Sequence, residues 1–395
     1  MIKKASILAL IICLFLVILS PCLVQARGEL AILDSSVEVE FPTKLSFNLS
    51  AQSDVNITDI RLNYVVNRVS FAEVTSEVYI EFVPETTVEA SWSWDMRKTG
   101  GLPPGSSVVY WWRVEDDKGD QVETTPVQVQ FDDTRYQWRP LAEGKVTIYW
   151  YEGSESFAQE LMAIAQQVLA RLAEDTGAHL ETPVRMYIYA SSRDLRGSMI
   201  FPQEWTGGRA FPREGTIAIG ISPGNLDWGA RAIAHELAHL VIHQMTLNPY
   251  NDLPTWLDEG LAMYAEGLPQ PGLVSYLNEA LAEDRLISVQ SLSSPIPSDT
   301  EEALLSYSQS YSLVEFLISN YGQEKMLGLL NIFRQGNGYY DDALEKTYGF
   351  DMDGLDARWR EYLLAQASRA QTIEEEGMLA LVGIVLRAPA TLVPQ

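Results

Sequence analysis

The sequence predicts two folded parts: an all-β sandwich at residues 30–135, then an α+β lobe that passes into a helical lobe over residues 145–370. Three observations carry this. Apolar residues alternate with polar ones in short runs up to about residue 131. After residue 145, short apolar runs mix with stretches of helical spacing, and from Asn225 onward helical spacing takes over. A change of period from two to 3.6 marks a change of architecture.

In the first part, Val37, Val39 and Phe41 alternate with polar residues. So do Ile60 to Val66, Val88 to Trp94, Tyr110 to Val114 and Val127 to Phe131. Turn signals such as "GGLPPGS" and "DDKGD" separate several of them. About seven short strands in about 100 residues suggest an immunoglobulin-like or fibronectin-like sandwich. No chemically active cluster falls in it, so it reads as a structural or docking module. A boundary follows at "FDDTRYQWRPLAEG", residues 131–144. Then "KVTIYWY" reads as a strand, Ser154 to Asp175 as an amphipathic helix, and "VRMYIYA" and "GTIAIGI" as two more strands. Residues 371–395 form a C-terminal tail, whose apolar stretch Met378 to Leu386 is too short to span a membrane.

The formal net charge of -25 argues against a nucleic-acid partner and against docking on anionic lipid. Residues 1–26 read as an export signal. Lys3 and Lys4 precede an apolar run from Ala5 to Leu19, and Val24-Gln25-Ala26 offers a cleavage site after Ala26. An uncleaved anchor and a lipid on Cys22 are the alternatives, although the proline before Cys22 fits a lipidation signal poorly. Both cysteines, Cys13 and Cys22, lie in this segment. Cleavage after Ala26 would leave a mature chain with no cysteine and no disulfide, in which any metal must be held by histidine and carboxylate.

Three of the four histidines sit in "AIAHELAHLVIHQ", residues 232–244. His235 and His239 are one helical turn apart on one face, close enough for both to bind a single ion. Glu236, rotated by about 100° from His235, reaches the edge of such a site as a general base rather than a ligand. Ile233, Leu237, Leu240 and Val241 give the helix an apolar face. A third ligand is available in "LPTWLDEGLAMYAEG": a second helix starting at Pro254-Thr255 would carry Glu259, twenty positions after His239. Two histidines and a glutamate leave a fourth position for water, as a catalytic zinc site requires. His243 continues the stripe but lies too far along for the same ion, so it reads as a packing residue or a hydrogen-bond partner. His179 reads as a surface residue.

H-E-x-x-H at 235–239, followed by W-L-x-E-G-x-A-x-Y at 256–264, resembles the gluzincin metallopeptidases. That group includes thermolysin and the aminopeptidase N family, and the bacterial peptidase MA-like proteins are the nearest in pattern. The resemblance is tight over 235–266 and extends over 145–340. It implies a thermolysin-like zincin fold, zinc on His235, His239 and Glu259, and Glu236 as base. It also implies a strand edge that helps hold the substrate, for which "GTIAIGI" is the candidate. Two departures matter. Residues 207–221 lack the G-x-M-E-N segment whose glutamate grips a free amine in aminopeptidases. The aspartate found four residues after the third ligand in thermolysin is replaced by Met263; Glu266 could orient a histidine instead. Such enzymes supply a tyrosine or histidine from the helical lobe to the developing oxyanion. "SYSQSYSLVEFL" offers Tyr307 and Tyr311, with Tyr311 slightly ahead, against the plainer reading of two packed tyrosines.

The function expected is an exported metallopeptidase with one Zn2+ per chain, acting on peptide or protein substrates. Membrane contact is expected only through an uncleaved or lipidated N-terminus. The alternatives are a non-catalytic cell-surface binding protein with a structural zinc helix, and a zinc hydrolase of non-peptide bonds. Glu236 separates the first alternative from the main reading, because a structural site needs no base.

Overall fold

The structure, a computed structural model, describes residues 29–385 apart from 204–205, 251, 268–270 and 337–338. The segment read as an export signal, with Cys13 and Cys22, lies outside the described residues, as do residues 386–395 of the tail. Among the described residues, no helix is long and apolar enough to cross a membrane.

The N-terminal region is β-rich. Its strands are β1 (Ala31–Glu40), β2 (Lys44–Gln52), β3 (Ile57–Asn67), β4 (Ser76–Tyr79), β5 (Thr87–Asp95), β6 (Ser106–Asp116), β7 (Gln121–Glu123) and β8 (Val127–Phe131). One antiparallel sheet has the order β1-β2-β5. In the other, β4-β3-β6 is continued by β7 and β8, which pair with successive stretches of β6. The inward sides of both sheets share one core, including Phe47, Leu45, Leu62, Tyr110 and Trp112. This is what period-two alternation produces when one face of each sheet is buried.

The sheet of the following region is built from β9 (Arg139–Glu143), β10 (Val146–Trp150), β11 (Val184–Tyr189), β12 (Gly208–Phe211) and β13 (Thr216–Gly220), in the order β12-β13-β11-β10-β9. The three inner strands are parallel, and the two edge strands are antiparallel to their neighbours. Helix α1 (Glu155–Thr176) makes the crossover from β10 to β11. The Ser154 side chain accepts the Phe157 N–H at its start, and Gly177, at φ 71°, closes it in the left-handed conformation. A short helix α2 (Ser192–Arg196) follows β11.

Two expectations change here. "GTIAIGI" is not the sheet edge, because β12 pairs along its outer side and every residue of β13 is buried. The edge strand is Gly208–Phe211, a four-residue stretch between glycines and Pro212 that reads as a loop in sequence. Residues 131–144 are more than a boundary. Arg139–Glu143 pairs with β10, and Tyr136 stacks on Tyr151 with ring centroids 4.0 Å apart. The Tyr189 hydroxyl donates to Asp133 at 2.9 Å.

Beyond this sheet the chain is helical: α3 (Leu226–Thr246), α4 (Thr255–Glu266), α5 (Pro271–Ala282), α6 (Thr300–Tyr321), α7 (Gln323–Gln335), α8 (Tyr340–Tyr348) and α9 (Met352–Val385). Ile233, Leu237, Leu240 and Val241 of α3 are fully buried in the core shared with the sheet. Burying each is worth about 1.5–3 kcal/mol, which fixes the rotation of α3 and aims its histidine face at α4. Helix α4 is wedged between α3 and α6. A Cβ at Gly260 would run into the Ser310 carbonyl and the Val314 side chain. Gly260 and the buried small residues Ser308 and Ser310 therefore allow the close approach that sets the position of the neighbouring Glu259.

Candidate metal centre and active site

Helices α3 and α4 bring His235, His239 and Glu259 together, as the spacing of the sequence suggests. The Nε2 atoms of the two histidines are 3.2 Å apart. Glu259 Oε2 lies 3.5 Å from His235 Nε2 and 3.6 Å from His239 Nε2. These contacts are too long for good hydrogen bonds. Glu259 Oε2 is buried and has no hydrogen-bond partner in the protein. A buried carboxylate oxygen without a donor, facing two imidazole nitrogens, suits a shared cation. The three form a group that could hold a metal ion.

Each imidazole is oriented from behind. Glu266 Oε1 is 2.9 Å from His235 Nδ1, and Asp258 Oδ1 is 2.9 Å from His239 Nδ1. Carboxylates on the far nitrogens direct the Nε2 lone pairs toward Glu259. Burial works against the charge on Asp258, but the attraction of His239, with hydrogen bonds from His239 and His243, holds its pKa far below the usual carboxylate range.

Glu236 is only 9% exposed and sits against the edge strand. A Cβ on Gly208 would lie 2.5 Å from its Oε1, so only glycine leaves room for the carboxylate there. Burial raises the Glu236 pKa, and a hydrogen bond from the Ala210 amide offsets part of that rise. Gly207 O accepts the Gly220 N–H at 3.0 Å. By antiparallel alternation, the backbone groups of Gly208 and Ala210 then face away from β13 and toward the cleft. That cleft, about 350 Å³, is lined by His235, Glu236, His239, Glu259, Gly208 and Tyr307, among others.

A family model of the peptidase MA superfamily matches residues 164–365, half of the chain. The chain belongs to the peptidase MA superfamily. Among solved structures, it is similar to an M1 zinc metallopeptidase from Deinococcus radiodurans at 12% identity, covering 85% of this chain and 94% of that one with a TM-score of 0.34. It is similar to a two-domain M1 zinc metallopeptidase bound to L-arginine at 10% identity, with the same coverages and a TM-score of 0.36. A third likeness is to OgpA from Akkermansia muciniphila, at 8% identity and a TM-score of 0.21, covering 27% of this chain and 28% of that one. The chain thus spans under a third of that protein's length. Similarity at these scores carries no functional argument. No curated protein matches the sequence.

The tyrosines of this peptidase MA chain part company. Tyr307 lines the cleft beside Glu236 and Glu259. Burial, then the charges of Glu259 and Glu236, push its pKa up, so the hydroxyl stays a donor at neutral pH. Tyr311 faces a different cavity with Leu273 and Tyr362, and its ring stacks on Tyr264. The order in which the sequence ranks them is therefore reversed by position. One helical turn along α6 crosses from the cleft to the space under α5. His243 is a hydrogen-bonding neighbour of the site: its Nε2 is 3.0 Å from Asp258 Oδ2. His179 is exposed. Sequence reasoning misses Asp258, which serves both His239 and His243. Its one signal is its place beside Glu259, but which histidine it meets depends on the crossing of α3 and α4.

Proposed function

We propose that the chain is an exported zinc metallopeptidase that cleaves internal peptide bonds. The facing triad of His235, His239 and Glu259, with Glu236 against an edge strand, carries the reading. Donors around tetrahedral zinc at bond lengths of 2.0–2.1 Å stand about 3.3 Å apart. The triad separations of 3.2, 3.5 and 3.6 Å fit that ion without rearrangement. When bound, zinc supplies Lewis acidity that polarises a scissile carbonyl and makes water more acidic.

The chain's own groups do the rest. The Gly208 backbone and the Ala210 carbonyl hold an extended substrate along β12 by hydrogen bonds. Glu236 takes the proton of the attacking water and returns it to the leaving amine. The Tyr307 hydroxyl donates to the oxygen on which negative charge develops. The division into a β-sandwich at 30–135 and a peptidase domain at 145–370 follows the separate cores of the two regions. The three-stranded and larger antiparallel sheets support a fibronectin-like assignment for the sandwich. Export rests on Lys3, Lys4 and the apolar run that follows them.

Strand β12 reads Gly-Arg-Ala-Phe and so offers no carboxylate to grip a free ammonium. Peptides with acetylated N-termini should therefore be cleaved at least as well as free ones, and a chelator should stop both. A strict requirement for a free amine would contradict the endopeptidase reading, and cleavage untouched by chelator would contradict the metal.

The tyrosines make a second test. Tyr307→Phe should lower kcat roughly a hundredfold or more, the cost of losing one oxyanion donor, with zinc content unchanged. Tyr311→Phe should retain most activity. The opposite order would move the donor to Tyr311.

A further inference from the structure

The catalytic cleft does not end at the triad. A second cavity of about 460 Å³ continues it beyond β12 and α4. The two share Arg209, Ala210, Pro212, His243 and Asp258 in their walls, so they adjoin. The far wall of this extension is apolar: Phe211 at the end of β12, and Leu247 and Leu253 between α3 and α4. Its remaining wall comes from the other lobe. Val69, in the β3–β4 loop of the sandwich, lines the cavity, and its N–H donates to the Arg213 carbonyl at 2.6 Å. That backbone bond ties the sandwich loop to the turn leaving β12.

The same loop presents apolar side chains to solvent. Phe71 is 56% exposed and Val74 is 65% exposed. Val69 of the same loop lines the cavity beside Phe211. The Arg209 guanidinium lies over the Phe211 ring at 5.1 Å, which holds that ring as part of the wall.

We propose that the sandwich is part of the substrate-binding machinery: its β3–β4 loop, with Phe211 and Leu253, forms a subsite for a large apolar side chain of a polypeptide substrate. The proposal rests on the peptidase reading above and gives the N-terminal region a role in selecting substrates. The volume is in the range of pockets that enclose small organic groups; Val69, Phe211, Leu247 and Leu253 give it an apolar side, opposite polar groups that include Glu214, Gln244 and Asp252. An extended chain along β12 would leave the cleft at this end with one side chain directed into the pocket.

The test uses the full chain and matched internally quenched peptides, in which each position flanking the scissile bond carries either Ala or Phe. At one position, wild type should favour Phe over Ala about tenfold in kcat/KM, the worth of burying one large apolar side chain. Val69→Asp should bring that ratio close to one. So should Phe211→Ala, which removes the aromatic part of the wall. A wild type with no Phe preference at any position would overturn the proposal. So would a ratio that survives both variants, including an equal loss on Phe and Ala peptides. Should the loop variant abolish self-association while the ratio persists, the loop meets a second copy of the chain and the proposal falls. Wild type that cleaves none of the peptides, with zinc bound, would instead overturn the peptidase reading beneath it.

Discussion

Glu236→Gln is expected to lower turnover by roughly a hundred- to ten-thousand-fold, the usual contribution of a general base, while zinc content and melting temperature stay near wild type. Glutamine has nearly the same shape, so the tight fit against Gly208 is preserved. Its amide oxygen can still accept from the Ala210 N–H. What it cannot do is take a proton from water. The burial that raises the Glu236 pKa also makes the carboxylate a better base than an exposed glutamate would be. Steady-state kinetics with parallel metal analysis checks this. A Gln variant as active as wild type would mean that another group takes the proton.

The second large effect is loss of the metal. His235→Ala with His239→Ala should remove bound zinc and all chelator-sensitive turnover, since Glu259 alone cannot replace three ligands. Asp258→Asn should be milder, weakening zinc by about 10–100-fold as losses behind a ligand do. The sign with pH follows from the same groups. Burial lowers the His239 pKa, but the Asp258 charge and hydrogen bond outweigh it and raise it well above the ordinary value. Protons then compete with the ion for the imidazole, so zinc affinity should fall as pH falls. Titration of the apoprotein with zinc at several pH values checks both expectations.

Much of this site is legible in the sequence. Helical spacing alone put His235 and His239 on one face and left Glu236 beside them. The apolar residues around Glu259 implied a packed helix rather than a free surface, and α4 packs between α3 and α6. Glu266, two turns along the same face from Glu259, meets His235 as its position on the helix suggests. What was illegible depends on contacts between elements. Strand β12 is four residues long and bounded by glycine and proline, so no periodicity could distinguish it from a loop. Its identity as the edge is created by pairing with β13. The choice between Tyr307 and Tyr311 turns on about one helical turn of α6, set by the contact of Gly260 with Ser310. The hydrogen bond from Val69 N–H to the Arg213 carbonyl joins residues far apart in the chain that no local pattern links.

The central claim is that one metal, held by His235, His239 and Glu259, serves a reaction in which Glu236 moves the proton. The most direct measurement is zinc content and peptide turnover, side by side, for wild type, Glu236→Gln and the His235→Ala, His239→Ala double variant. The account predicts about one zinc with activity, about one zinc without activity, and neither zinc nor activity, in that order. Wild type that hydrolyses peptides without metal, or a double variant that keeps its zinc, would contradict it.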